Sequence, residues 1–214
     1  MIAVTFALPS ESRDFLRLLG NQKRKVTVLH TGVGQKSCRE RIVPFLATQP
    51  FALLISSGFA GGVDPSLGVG DLLLANNFSN PESLARADGI LVARIARLVT
   101  APRIIESEAD RRKVARATGA VAVDMETEWV AEACAAKNVP MLSLRAISDT
   151  AAAPFPAPPS VLFDLARQRI DARKLSGYLL KNPAAVVRLL RFARQIRLAR
   201  ANLAAALCEL LAFA

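Results

Sequence analysis

The sequence predicts an α/β fold: a three-layer αβα sandwich around a mixed, mostly parallel central sheet. Three observations predict it. Short branched-aliphatic runs alternate with amphipathic stretches over residues 1–150, the pattern of helices packed on both faces of a sheet. Several of the runs, "FALLISSGFAGG" foremost, lack polar alternation, as strands buried on both faces do. Polar residues able to do chemistry gather where the runs end, at 57–62, 124–126 and 148–149. Open α/β sheets bind ligands beyond the carboxyl ends of their strands.

The elements follow in order. "MIAVTFAL" reads as a first strand. "PSESRDFLRLL" opens a helix, with Pro9 and Ser10 as start signals and Phe15, Leu18 and Leu19 as its apolar side. "KVTVLHTG" is a second strand, closed by the glycines of "TGVGQ", and a helix is expected over 36–47. "FALLISSGFAGG" runs as a strand into a glycine cluster, and "GVGDLLLAN" is the next strand. "PESLARADGILVARIARLV" has a mixed character. "EADRRKVARATG" is a charged helix ending at Gly119, and "AVAVDM" is a strand. "ETEWVAEACAAKN" is an amphipathic helix, and "VPMLSLRAISD" is the last clear strand. "AAAPFPAPPS" is too rich in Pro for a helix interior or a central strand. Pro183 fits the first turn of a long terminal helix.

Length and composition suit one domain with an appendage. The chain has 214 residues, 52% of them hydrophobic, enough for a full core. The expected divisions are a core over 1–153, a Pro-rich and basic amphipathic insertion over 154–183, and a terminal helix over 184–214 that packs on the core.

Several function classes are disfavoured. Cys38, Cys134 and Cys208 stand far apart and are odd in number, so neither a disulfide framework nor a zinc spacing follows. His30 is the only histidine; it closes a strand, and no HExxH pattern exists. No metal, no cofactor and no His-dependent triad are expected. No apolar run reaches the roughly 18 residues of a membrane span. The start reads as a strand rather than a signal peptide, so the expected location is cytoplasmic. No nucleic-acid-binding module is recognisable.

Charge is uneven. From residue 165 onward, ten Lys or Arg against Asp171 and Glu209 make this stretch +8 of the chain's +10. Such asymmetry points to an anionic surface, or to a solvated helix face. Arg188, Arg191, Arg194, Arg197 and Arg200 recur every third residue. At about 100° per residue that row winds around a helix, which argues against a simple flat basic face.

Three stretches together resemble the nucleoside phosphorylase and nucleosidase family, which includes purine nucleoside phosphorylase and methylthioadenosine/adenosylhomocysteine nucleosidase. They are "TGVGQ", "ISSGFAGGVDPSLGVGDLLLA" and "AVAVDMETEWVAEACAAKNVPMLSLRAISD", in the family's order. "GFAGGVDPSLGVGDLLL" and the basic "LLKNPAAVVRLLRFAR" further resemble the hopanoid-associated phosphorylase group. That resemblance implies release of adenine from a lipid-linked nucleoside, adenosylhopane; the alternative is a soluble enzyme for small purine nucleosides. A reading of another class is a catalytically silent protein that binds nucleoside or membrane.

The family's chemistry breaks a purine N-glycosidic bond. Positive charge builds on the sugar and negative charge on the leaving base, so acids are wanted at both ends. The resemblance makes Asp149 of the "SD" motif the candidate general acid at the purine ring, with Ser148 beside it. Such an acid would need apolar surroundings to raise its pKa. Glu126 matches the carboxylate that holds the ribose hydroxyls, and Met125 the side chain that packs on the sugar. Glu11 matches the residue that orients the attacking water or a hydroxyl; its other reading is a first-turn helix carboxylate. Asp124, where glutamate is frequent in the nucleosidases, is expected to line the site. Glu128 reads better as a helix N-terminal charge. Gly34 and the run Gly58, Phe59, Ala60, Gly61 are expected to present backbone and surface to the substrate.

The sequence also departs from the family pattern. Phe59 stands where a serine that touches the nucleophile or phosphate is usual. The phosphate-gripping arginines have no clear counterpart, although Arg13 and Arg39 are available. Water and phosphate, the latter as co-substrate, both stay open as acceptors. The base-reading residue is expected within 103–106 without assignment. The segment 71–125 is short for the family. Phe155, Val161, Leu162, Phe163, Tyr178, Leu179 and Leu180 are expected either to guide a lipid tail or to pack on a neighbouring subunit. The expected partners are therefore a nucleoside, lipid-linked or small, a second copy in a homo-oligomer, and a peripheral contact of 154–200 with the inner membrane surface.

Overall fold

The computed structural model of the chain describes residues 1–20, 26–158, 161, 163–164, 169–170 and 172–213. Its core is a mixed, mostly parallel sheet with helices on both faces, the expected αβα sandwich.

Strand β1 (Ile2–Phe6) leads into α1 (Pro9–Leu19), and β2 (Val26–His30) into α2 (Gln35–Leu46). Strand β3 (Leu53–Gly62) is the spine of the sheet. It pairs parallel with β1 through its first half and antiparallel with β7 (Ala122–Asp124) at Gly61 and Gly62. Along its other edge runs β8 (Met141–Asp149), parallel and buried at every residue. The stretch of mixed character resolves into α3 (Pro81–Asp88), β5 (Arg94–Ala96) and β6 (Leu98–Thr100). Strand β4 (Leu72–Ala75) pairs antiparallel with β8 and parallel with β5, while β6 pairs parallel with β7.

One face of the sheet is closed by α2 and α5 (Thr127–Ala136), through Cys38, Ile42, Val130 and Cys134. The other is closed by α1, α3 and the terminal helix α7 (Ala185–Ala212), through Phe15, Ala87, Leu203 and Leu207. Each of these core side chains removes on the order of 1–3 kcal/mol of apolar surface from water, so the two faces hold the strand ends in place. Helix α4 (Glu108–Thr118) is capped by Ser107, whose hydroxyl accepts from Asp110 N at 3.0 Å, and it ends on left-handed Gly119. Both ends follow ordinary capping chemistry.

Beyond Thr150 the chain turns back onto α7. Phe155 meets Phe192 with ring centroids 5.3 Å apart, and Ala157 is buried. A short antiparallel pair, β9 (Phe163–Asp164) and β10 (Arg169–Ile170), precedes α6 (Ala172–Lys181). Leu162 and the side chain of Phe163, expected in the sequence to shield a tail, lie outside the described residues.

Candidate active site

The pocket lies at the carboxyl end of β1, where α1 starts, and beside the middle of β3 from Ser56 to Phe59. The turn after β1 delivers Glu11 in the first turn of α1. Its Oε2 accepts from the backbone N–H of Ala7 at 2.9 Å and of Leu8 at 3.2 Å. Both readings of Glu11 therefore coexist: it caps the helix, and it also lines the pocket. Burial pushes its carboxyl up to about 7, against the opposing hydrogen bond from Leu8 and the charge of Arg145.

Glu126 enters from the other side, at the junction of β7 and α5. Its Oε1 accepts from Gly34 N–H at 2.7 Å, so the glycine turn after β2 reaches Glu126 rather than standing open. Gly34 has φ +81, the left-handed region that favours glycine. Burial, and then the charge of Asp124, push Glu126 up to about 8. Gly58 and Phe59 form the floor between the two carboxylates, with Thr5, Thr31 and Ser57 around them. The Ser57 hydroxyl is buried with no partner among the described residues.

Arg145 backs the pocket and was not singled out from the sequence. All five of its N–H donors are used. Nε donates to Asp124 Oδ2 at 3.0 Å. Nη1 donates to the carbonyls of Ser56 (2.7 Å) and Leu144 (3.1 Å). Nη2 donates to Ser56 Oγ (2.9 Å) and Thr127 Oγ1 (2.6 Å). A signal did exist in the sequence: one arginine inside the apolar run "MLSLRAISD" must find a buried partner.

Asp124 is that partner. Its oxygens also accept from Thr100 Oγ1 at 2.8 Å and from the N–H and hydroxyl of Thr127. The structure thus puts Asp124 behind Arg145, not at the pocket wall where the sequence reading had it. Met125 is half-buried between Asp124 and Glu126 and stands apart from the pocket-lining set.

Asp149 lies farther along the same edge. A register shift between Ala60 and Gly61 leaves Ser148 as an extra residue in β8 and sets Asp149 opposite Gly61. Such bulges re-aim side chains near sites. The Glu11 carboxylate approaches Gly58 and the Asp149 carboxylate approaches Gly61. Two residues, Phe59 and Ala60, lie between those glycines, a span of about 10 Å.

The surroundings of Asp149 differ from expectation. In place of an apolar nest, the guanidinium of Arg111 from α4 donates to its Oδ2, and Ser148 Oγ donates to its Oδ1 at 2.8 Å. Arg111 is 2% exposed and also donates to Gly62 O at 2.8 Å. Nothing in "EADRRKVARATG" separates Arg111 from its solvated cationic neighbours, so sequence reasoning had no signal for it.

The remaining expectations sort by geometry. Ala60 and Gly61 lie at the Asp149 end, and Ser148 Oγ contacts Ala60 O at 3.4 Å. Arg39 is held by Glu132 at 2.5 Å and lies over Trp129, while Arg13 is exposed on α1. Neither lines the pocket. His30 Nε2 pairs with Ser12 Oγ at 2.8 Å, outside the pocket-lining set. Cys38, with its sulfur 4.0 Å from Glu126 O, is pushed by burial up to about 12, so it serves as an uncharged wall.

Comparison with known proteins finds a related family and a shared fold. The model of the family described as the phosphorylase superfamily matches residues 82–181, the stretch that carries β7, α5 and β8. Over that stretch the chain is similar to the phosphorylase superfamily. A 5′-methylthioadenosine/S-adenosylhomocysteine nucleosidase from Staphylococcus aureus is 26% identical over 159 residues, covering 60% of this chain and 70% of the relative. Solved structures share the fold. Futalosine hydrolase of Helicobacter pylori has a TM-score of 0.73 at 16% identity, covering 100% of this chain and 97% of that one. The 5′-methylthioadenosine/S-adenosylhomocysteine nucleosidase of the same organism, with butyl-thio-DADMe-Immucillin-A, has a TM-score of 0.73 at 15% identity, covering 100% and 98%.

Proposed function

We propose that this chain cleaves the N-glycosidic bond of an adenine nucleoside, with water as the acceptor. One observation carries the reading: two buried carboxylates, Glu11 and Glu126, face one pocket and are both raised toward neutral pH. The likeness to the phosphorylase superfamily and the nucleosidase relatives support the same reaction class.

In the proposed reaction the bond between C1′ and the purine nitrogen breaks, and its electron pair leaves with the base. Glu126 accepts hydrogen bonds from two ribose hydroxyls and stabilises the positive charge that grows on the sugar. Glu11 orients a water molecule, takes one of its protons, and the water oxygen bonds to C1′. Asp149, farther along the same edge, donates a proton to the departing base. Arg111 holds Asp149 Oδ2, so donation to the base requires that contact to give way as the purine enters.

Water is favoured over phosphate by the state of the cations. Arg145 is the one Lys or Arg side chain in the pocket-lining set, and its donors are committed to Asp124, Ser56, Leu144 and Thr127. A phosphate would meet two carboxylates there with no free guanidinium.

For the 5′ group, the relatives favour a small thioether nucleoside such as methylthioadenosine or adenosylhomocysteine. A lipid-linked adenosine such as adenosylhopane is the second reading. It is favoured by exposed aliphatic side chains on α6 and α7, including Leu180 and Leu190.

The test is direct. The protein is incubated with methylthioadenosine, adenosylhomocysteine and adenosylhopane, with and without phosphate, and both products are identified. Adenine and a free sugar are expected in either buffer. A sugar phosphate formed only with phosphate present would overturn the choice of water. No adenine from any of the three would remove the enzyme reading. Glu126→Gln is expected to lower kcat by about 10²-fold or more, in line with losing an electrostatic contact made in the transition state.

A further inference from the structure

We propose that the outward face of the first half of α7, with the last turn of α6, docks on an anionic lipid bilayer. The inference stands on this surface alone and does not depend on which nucleoside the enzyme cleaves.

Helix α7 is anchored by one side. Phe192, Ala199, Leu203 and Leu210 are buried on the core. At about 100° per residue these four fall on one narrow line. Arg191, Arg194 and Arg197 lie about half a turn away from it, within about 120° of one another. The arginine row does wind, as its spacing requires, but its winding stays on the side away from the core. All three arginines are exposed.

The same outward face is apolar as well as basic. Val186, Val187, Leu190 and Leu198 project between the arginines and are 42%, 53%, 60% and 49% exposed. Leu180, at the end of α6 and 86% exposed, immediately precedes this stretch with Lys181. From 172 to 208 the sequence holds eight Lys or Arg and no acid. Aliphatic side chains flanked by arginines are what an interfacial helix presents: the stems and aliphatics enter the headgroup boundary while the charges meet anionic lipid. Among the described residues no helix is long and apolar enough to cross a membrane, so such a face would lie on the surface.

Two other occupants fit less well. A nucleic acid would want aromatic stacking partners, yet Phe192 is buried and Tyr178 half-buried. A second copy meeting this face across a two-fold axis would set the arginine faces against each other.

Co-sedimentation with vesicles tests the proposal on the full chain. The wild type is expected to sediment with phosphatidylglycerol-containing vesicles, not with pure phosphatidylcholine, and to be released by high salt. Replacing all three arginines (Arg191→Gln, Arg194→Gln, Arg197→Gln) should weaken binding about a hundredfold, at roughly 1 kcal/mol per cation. Leu190→Ser with Val187→Ser should weaken it without changing the salt dependence. Hydrolysis of a soluble nucleoside should be the same in all variants, so failure here is separable from failure of the nucleosidase reading. The proposal is overturned if wild type stays in the supernatant or binds both vesicle types alike. It is equally overturned if the arginine variant binds unchanged, if a single-stranded oligonucleotide displaces the protein from vesicles at stoichiometric amounts, or if the face proves to be the contact of a dimer.

Discussion

At the residue scale, the site is governed by how many charges share one dry pocket. Burial raises the proton affinity of both Glu11 and Glu126, and the charges of Asp124 and then of Glu11 raise that of Glu126 further. Because ribose hydroxyls need an ionised Glu126, log kcat/KM is expected to rise with pH through about 7 to 8 before levelling. Glu11→Gln removes one of the repelling charges, so that rise should move to lower pH while kcat falls. A profile measured on a soluble nucleoside checks both, and an unmoved rise would disconnect the two carboxylates. Asp149→Asn carries a second consequence besides slower chemistry. It leaves the Arg111 guanidinium buried without a charged partner, so stability should fall by about 3 kcal/mol, read by urea denaturation. From sequence, Glu11 and Glu126 could be picked out because each sits in a recognisable motif, and both line the pocket, whereas Asp149 stands outside its lining. Arg111 could not be picked out, because a helix rich in cations hides which one turns inward.

At the element scale, two strands and a helix junction do the positioning. The buried pair of Arg145 and Asp124 ties β8 to β7, both fully buried there. Arg145→Met alone should destabilise by about 3–5 kcal/mol, since it strands the Asp124 charge. Adding Asp124→Asn should restore part of that loss, and denaturant midpoints of the single and double variants measure it. A different device holds α7. Gly70, at φ +92, accepts at its carbonyl a hydrogen bond from Asn202 Nδ2 at 2.9 Å and abuts Leu198. A Cβ there would come within 3.0 Å of both Asn202 Nδ2 and Leu198 Cγ. Gly70→Ala should therefore cost about 1–3 kcal/mol and loosen the terminal helix, visible as faster amide exchange in residues 198–207. Strand and helix boundaries could be read from apolar periodicity and caps. The bulge at Ser148 could not, because an extra residue leaves no mark on composition or spacing.

At the scale of the whole molecule, the raised carboxylates couple folding to pH. Protonated Glu11 and Glu126 are favoured in the folded state, whose affinities of about 7 and 8 lie above the ordinary 4.5. The folded state then binds more protons than the unfolded one, so the stability they contribute is fully present below about pH 4.5 and is lost as pH rises through about 7 to 8. Tm should fall across that interval, and Glu126→Gln should flatten the fall. A Tm that climbs over the same range in the wild type would contradict the burial of these groups. Charge distribution is the other global property. The basic excess was readable as composition, but only the packing of α7 decided which of its arginines face outward.

The sequence by itself determined most of the order of strands and helices, the αβα layering and the motifs that resemble the phosphorylase superfamily. These depend on local periodicity and on residues near in sequence. Tertiary structure alone decided that Asp124 serves Arg145, that Arg111 holds Asp149, and that Glu11 and Glu126 share one pocket. Those facts depend on which side chains meet across 21 to 115 residues of chain, and a buried charge finds its partner through the packing of the sheet, which no local pattern encodes.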